Sequence, residues 1–305
     1  MRIHTARLTA GLLFACALTA THLSNAASPT TASTASTASS LEAEQEAAFK
    51  AAKAVQKAGP ADIVLRDQAH LKLPAGYVWV PTPAAAQLMR SMGNRTDDTF
   101  IGAIFPADDG DWMAVVKFVK EGYIKDDDAK DWNADELLTS LKEGTEAANE
   151  ERAKRGIPGI EVTGWAQKPQ YDAATHRLVW SALSKKKGSD GGNPGVNYNT
   201  YALGREGYLS LNLITNANDL EKYKPDATQL LGALQYDDGK KYADFNASTD
   251  KVAAYGLAAL VAGAAAKKLG LFAVALAFLA KFAKVAVVAG GAALWGLTKL
   301  FKKKS

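Results

Sequence analysis

Residues 198–214 read Tyr-Asn-Thr-Tyr-Ala-Leu-Gly-Arg-Glu-Gly-Tyr-Leu-Ser-Leu-Asn-Leu-Ile. Two β-prone runs, 198–203 and 208–214, flank Gly204, Arg205, Glu206 and Gly207, the pattern of an antiparallel hairpin. In the second run Leu209, Leu211 and Leu213 alternate with Ser210 and Asn212. Successive side chains of a strand point to opposite faces, so this pattern predicts one buried and one wetter face. A similar pair lies just upstream, with runs 161–167 and 176–183 on either side of a turn at 171–174. Earlier still, 63–65, 77–80, 100–105 and 112–118 read as strands. Pro74 and Gly76 mark a turn between the first two, and Asp108, Asp109 and Gly110 join the last two.

Helices separate these strands. The strongest signal is 134–155, where Asn133 can cap and Glu136 follows three residues later as in a capping box. Leu137, Leu138, Leu141 and Ala148 give it one apolar face, and Gly156 with Pro158 stops it. Weaker signals predict helices over 41–58, ended by Gly59 and Pro60, over 83–92 with Pro83 in the first turn, and over 226–234. Hairpins with segregated helices predict an α+β fold, a mainly antiparallel sheet with flanking helices. A parallel, doubly wound nucleotide fold does not fit.

The charge is partitioned along the chain. The net +4 divides into Arg2 and Arg7 without an acid in residues 1–26, and nine lysines without an acid from Lys251 on. The middle holds all 32 acidic residues against 25 basic ones, a charge of −7. A nucleic-acid-binding domain carries its positive charge on the fold itself, so no nucleic acid is expected as partner. Residues 1–26 combine a basic start, an apolar run and Ser24, Asn25 and Ala26, as in a secretory signal peptide. An uncleaved anchor and a lipoprotein signal at Cys16 are the alternatives. Cys16 is the sole cysteine, so cleavage leaves a chain with no disulfide and no thiol chemistry. Residues 27–40, with Thr-Ala-Ser three times over 31–39, read as a flexible linker, or alternatively a glycosylated stalk. An exported domain is then expected over 41–250.

Residues 251–305 read as a C-terminal membrane anchor with a basic tail. Their uninterrupted apolar stretches, 252–266, 269–280 and 285–297, are each shorter than the roughly 20 residues that cross a bilayer. At about 100° per residue, Lys267, Lys281, Lys284, Lys299 and Lys302 share one side of a helix. A lysine at the bilayer centre costs about 2.5–3.5 kcal/mol, so Lys281 and Lys284 are expected at an interface. With the acidic domain outside, the excess of lysine and arginine on the cytoplasmic side of membrane segments puts Lys302, Lys303 and Lys304 in the cytoplasm. This requires an odd number of spans and favours one span over a two-span hairpin. The localisation that follows is a bacterial inner membrane, with the main domain in the periplasm and the lipid bilayer as partner.

Motifs for chemistry are sparse. His70 and His176 are the histidines beyond the signal peptide, too far apart in sequence for a metal signature. His176 is expected on one strand face with Leu178 and Trp180, with Asp172 across the turn. A cleft of Asp172, His176 and Trp180 would suit a small ligand or a proton shuttle, the alternative being a structural histidine in a turn. The acids Asp126, Asp127, Asp128, Asp131 and Asp135 lack the Gly a calcium loop needs, and 188–195 lacks the Lys-Ser/Thr ending of a phosphate loop. No catalytic, cofactor or metal residue emerges.

Several of these residues together resemble an uncharacterised bacterial family of membrane-anchored envelope proteins, the domain of unknown function 2167. They are Gly110, Asp111 and Trp112; 122–127; Gly164 and Trp165; Tyr171, Asp172, His176, Arg177, Leu178 and Trp180; 197–199; Leu203, Gly204, Arg205 and Gly207; and 242–245. The resemblance implies an exported domain followed by a membrane segment and brings no reaction. The order of elements also looks similar to the Mog1/PsbP-like α-β-α sandwich. The expected function is a non-enzymatic interaction or assembly module of the envelope, with other envelope proteins as partners. A ligand receptor or hydrolase-like enzyme at the His176 cleft, and a membrane-active helix pair regulated by the domain, are the rivals.

Overall fold

A computed structural model of the chain describes residues 34–130, 132–154 and 156–262. The expected signal peptide, residues 27–33 of the linker, and Lys281, Lys284, Lys302, Lys303 and Lys304 lie outside the described residues. The described elements are helices α1 (Thr34–Val55), α2 (Ala84–Ser91), α3 (Ala134–Lys154), α4 (Leu220–Gly232) and α5 (Ala258–Ala262). The strands are β1 (Lys57–Ala58), β2 (Ala61–Leu65), β3 (Ala69–Leu73), β4 (Tyr77–Pro81), β5 (Phe100–Pro106), β6 (Met113–Val119), β7 (Ile160–Asp172), β8 (Arg177–Lys186), β9 (Gly195–Leu203), β10 (Tyr208–Asn216) and β11 (Leu234–Tyr236).

Eight strands form one antiparallel sheet in the order β1-β4-β5-β6-β10-β9-β8-β7, and β11-β3-β2 form a second, also antiparallel. The fold is α+β with a mainly antiparallel sheet. Alternation along the central strands assigns the two faces of the large sheet. Val116, Phe118, Leu209, Leu211, Leu213 and Tyr198 point to one side, where Leu220, Tyr223, Leu230 and Leu231 of α4 and the small sheet cover them. The other face is covered in two places. At one end Ala48 and Ala52 of α1 and Leu88 and Met89 of α2 pack on Val80, Phe100, Val115 and Ile214. At the other end Leu137 and Leu141 of α3 and Leu260 and Val261 of α5 pack on Val162, Leu178, Trp180 and Tyr201.

The strong helix signal sits where the sequence predicts it. Asn133 Oδ1 accepts the backbone N–H of Asp135 (2.9 Å) and of Glu136 (3.4 Å), and Leu137, Leu141, Thr145 and Asn149 form the buried stripe. Asn149 then ties α3 to the sheet: its Nδ2 donates to Ile160 O and its Oδ1 accepts Ile160 N, both at 2.8 Å.

Four expectations are corrected. Helix α1 starts at Thr34, inside the segment whose composition suggests a linker, and ends at Val55. Alanine recurs every third residue there and favours helix, and the helix is docked downstream by the burial of Ala48 and Ala52. Strand β3 has no counterpart among the expected elements, and it places His70 mid-strand with Nδ1 2.8 Å from Asp62 Oδ1. Helix α4 begins six residues before the expected start and carries Pro225 inside it. Burial of Leu220 and Tyr223 holds the preceding turn, which the proline alone would argue against.

The last correction concerns where packing stops. The apolar stretch from Val252 reads in sequence wholly as anchor, yet its first part is folded onto the domain. Tyr123 N donates to Lys251 O and Ala253 N donates to Tyr123 O, each at 2.8 Å. Gly122, at φ +99°, sits so close that a Cβ there would meet Lys251 O at 2.6 Å. Asp128 accepts Leu257 N and Ala258 N, both at 3.0 Å, at the start of α5. Leu257 is fully buried, and Leu260, Val261 and Ala262 are buried beside it. Among the described residues no helix is long and apolar enough to cross a membrane.

Candidate ligand-binding cavity

Between the two helix-covered ends, the same sheet face leaves a cavity of about 410 Å³. Its floor is the wetter face anticipated from Ser210 and Asn212. Register sets the floor out in rows, because directly paired residues share a face. Asn212 of β10 pairs with Asn199 of β9, which pairs with Trp180 of β8. One row over, Lys117 of β6 pairs with Ser210, and Ser210 with Tyr201. Asn197 and Ala182 form the next row. Leu141 of α3 and Ala259, Leu260 and Val261 of α5 supply apolar walls, while Asp97, Thr99 and Glu121 stand at the side.

The hydrogen bonds within the floor fix which ends of the amides remain. Asn199 Nδ2 donates to Asn197 O at 3.0 Å, and since a carbonyl can only accept, Asn199 Oδ1 is the end left over. Ser210 Oγ donates to Asn212 Oδ1 at 3.0 Å, which leaves Asn212 Nδ2. Trp180 is 8% exposed, and its indole N–H has no hydrogen-bond partner among the described residues. Its ring stands edge-on to Trp165 at 5.9 Å, whose own N–H donates to Ala134 O. A buried, unsatisfied donor is costly in a native fold, but the Trp180 nitrogen has almost no accessible surface, so Trp180 lines the cavity through its other atoms.

The titratable groups of the lining respond to each other. Partial burial pushes the Asp97 carboxyl up, but the Thr99 hydrogen bonds and the nearby Lys117 charge hold it below its ordinary value. Burial drives the Tyr208 phenol well above its ordinary range, with Tyr201, Tyr255, Glu121 and Asp97 adding to it. Tyr208 is therefore a neutral phenol at physiological pH.

The three residues singled out in sequence do not assemble. Trp180 lines the cavity, whereas Asp172 and His176 are not among its lining residues. Asp172 is absorbed by its own turn, accepting Ala174 N at 2.9 Å and Thr175 Oγ1 at 2.7 Å. His176 belongs to that turn rather than to β8 and has φ +52°, so its side chain does not follow the strand alternation that would have aligned it with Leu178 and Trp180. Its acidic neighbour is Asp126, 3.7 Å away. Tyr171 bridges the two, donating to Asp126 Oδ2 at 2.6 Å and lying 3.1 Å from His176 Nδ1. Burial, and then the Asp126 carboxylate, raise the Tyr171 phenol far above its usual value. The His176 ring stacks on Tyr242 at 4.1 Å, Tyr242 on Tyr123 at 4.4 Å, and Tyr123 on Phe245 at 3.9 Å. Tyr242 donates to Ile124 O at 2.8 Å. The cluster therefore fastens 122–128 to the chain leading into α5. Arg205 closes the same end through two bonds to Asp250, at 2.7 and 2.8 Å.

Many of the residues that carried the family resemblance meet here: Gly122, Tyr123, Asp126, Tyr171, Asp172, His176, Arg205, Tyr242 and Phe245. The family whose model matches residues 57–291 is described as a protein of unknown function (DUF2167). The chain belongs to this family. No curated protein matches it. The solution structure of cyanobacterial PsbP (CyanoP) from Synechocystis sp. is similar over 60% of this chain and 91% of that one, at 10% identity and a TM-score of 0.35. That likeness is too loose to bring any function with it.

Sequence reasoning missed the three asparagines and Lys117 as a set. The signal that would have found them is the wet face of two adjacent strands, at Asn197 and Asn199 in one and Ser210 and Asn212 in the other.

Proposed function

We propose that this family member is a membrane-anchored binding module of the bacterial envelope, non-enzymatic, whose periplasmic domain takes a small ligand in the cavity under α3 and α5. One observation carries the binding reading. The cavity presents neutral amides and hydroxyls, two of the amides with fixed free ends. Such groups recognise by hydrogen bonding, and the volume suits a small ligand. The envelope setting rests on the sequence: a signal-like start, an acidic middle and a basic apolar end. Because α5 walls the cavity and leads into that end, the proposed anchor starts beside the ligand.

The test is retention. The full chain is incubated with a small-molecule extract of the bacterial envelope, desalted, and its bound compounds identified by mass spectrometry. The proposal expects a compound held by the native chain and lost from Asn212→Ala. Recovery of the same compounds from both, or of none from either, contradicts it.

A further inference from the structure

The cavity floor specifies a ligand class. Across two adjacent strands the free ends run donor then acceptor, Asn212 Nδ2 and Asn199 Oδ1, with Trp180 on the next strand lining the cavity while its own Nε1 is closed off from it. Adjacent strands lie about 4.8 Å apart, so the two free ends are about one strand spacing apart, with Trp180 one strand further on. Asn197 beside it presents a whole amide, both donor and acceptor, with no side-chain hydrogen bond among the described residues. Each position thus asks for a partner that accepts at one point and donates at the next.

Three ligand classes fail this pattern. An acyl chain would bury the amides and Lys117 against hydrocarbon and satisfy none of them. An inorganic anion such as phosphate brings a net negative charge that would meet Asp97 and Glu121 in the lining. A simple cation would face Lys117 and the Asn212 Nδ2 donor.

A hydroxyl both donates and accepts, and can turn to suit either neighbour. Several hydroxyls on one ring match an alternating row without any fixed polarity. The remaining lining fits the rest of such a molecule, because Tyr201, Tyr208 and Trp180 bring aromatic side chains to it, and such rings pack well against the apolar C–H side of a sugar ring. Lys117 together with Asp97 and Glu121 brings both signs to the lining, so no strong single-sign field selects for an ion.

We infer that the ligand is a polyhydroxylated, uncharged molecule of one or two sugar rings, bound over the row of Asn212 and Asn199 and against Trp180. This rests on the cavity being the binding site, as proposed above.

The experiment follows the Trp180 indole N–H by nitrogen–proton NMR of the ¹⁵N-labelled full chain, in a detergent without a sugar headgroup. The chain has 6 tryptophans, so the signal is assigned by its loss in Trp180→Phe. Glucose, N-acetylglucosamine and maltose are titrated as sugar probes, with alanylalanine, laurate and inorganic phosphate as the other classes. The inference expects a saturable shift with at least one sugar, in the millimolar range or tighter, and binding about fivefold to tenfold weaker in Asn212→Ala. Saturable shifts with only the dipeptide, laurate or phosphate overturn the ligand class and leave the cavity as the site. No shift with any probe to about 50 mM also overturns the class, and the retention experiment then decides the cavity on its own. Equal sugar affinity in Asn212→Ala removes the row from recognition and overturns the inference.

Discussion

Replacing Leu257 by Ala tests whether the folded unit runs past Asp250 into the apolar C-terminal stretch. Leu257 is fully buried among Ile124, Leu137, Leu141 and Val261, and its N–H is held by Asp128. The substitution deletes three carbon groups, worth about 2.4 kcal/mol at about 0.8 kcal/mol each. The void left behind adds to this, and buried Leu→Ala changes span about 2–5 kcal/mol, so about 3 kcal/mol is expected. For a unit of this size, about 2–4 °C is lost per kcal/mol, which predicts a Tm lower by roughly 6–12 °C. The assay is urea and thermal unfolding of the full chain in detergent, followed by tryptophan fluorescence. Val252, five residues earlier and 41% exposed, is the control: Val252→Ala is expected to change stability by no more than about 0.5 kcal/mol. A loss below about 1 kcal/mol for Leu257→Ala, or one equal to the control's, refutes the claim that α5 belongs to the cooperative unit.

Three further outcomes follow from the same contacts. Asn149→Ala strips both the donor and the acceptor that Asn149 offers Ile160, leaving a buried N–H and C=O unpaired; a destabilisation of about 3 kcal/mol is expected in urea unfolding. Arg205 and the Asn246 N–H hold the Asp250 carboxyl far below its ordinary value, so its contribution is fully present above the unfolded carboxylate pKa and fades as pH falls below about 4. The stability gap between the native chain and Asp250→Asn is therefore expected to stay constant from about pH 5 to 8 and to shrink in acid; a gap that widens in acid would reverse the sign. Asp172→Ala is expected to loosen the turn at 172–175 and leave retention of the cavity ligand unchanged, because Asp172 bonds Ala174 and Thr175 and does not line the cavity.

The parts of this fold that are legible in sequence are those whose signal is local. Leu209, Leu211 and Leu213 announce a strand and its buried face without help from elsewhere, and Asn133 with Glu136 announces the start of α3. Strand β3 is not legible. Its inward residues Ala69, Leu71 and Leu73 are few, and its place depends on β2, β11 and the large sheet packing behind it. Helix α4 reads short because Pro225 is a local stop signal that the burial of Leu220 and Tyr223 overrides. The site is half legible. Trp180 belongs to the right cavity but the sequence gives it the wrong neighbours, since the direction of His176 turns on one positive φ that spacing does not reveal. The asparagines are visible only as a wet face, and a wet face reads as solvent until a helix such as α5, far downstream in the chain, is known to stand over it.

Where the protein sits is tested most directly by single-cysteine labelling in cells. Cys16 is the sole cysteine and falls in the expected signal peptide, so Ser248→Cys and Ser305→Cys can be read without interference. Ser248 is exposed, and a probe there leaves the packed segment after Lys251 intact, which a reporter fused at Asp250 would cut. A membrane-impermeant maleimide is applied to spheroplasts before and after lysis. A periplasmic domain on a single C-terminal span predicts that the Ser248→Cys chain is labelled in both and the Ser305→Cys chain only after lysis. Labelling of Ser305→Cys in intact spheroplasts, or protection of Ser248→Cys until lysis, would contradict it.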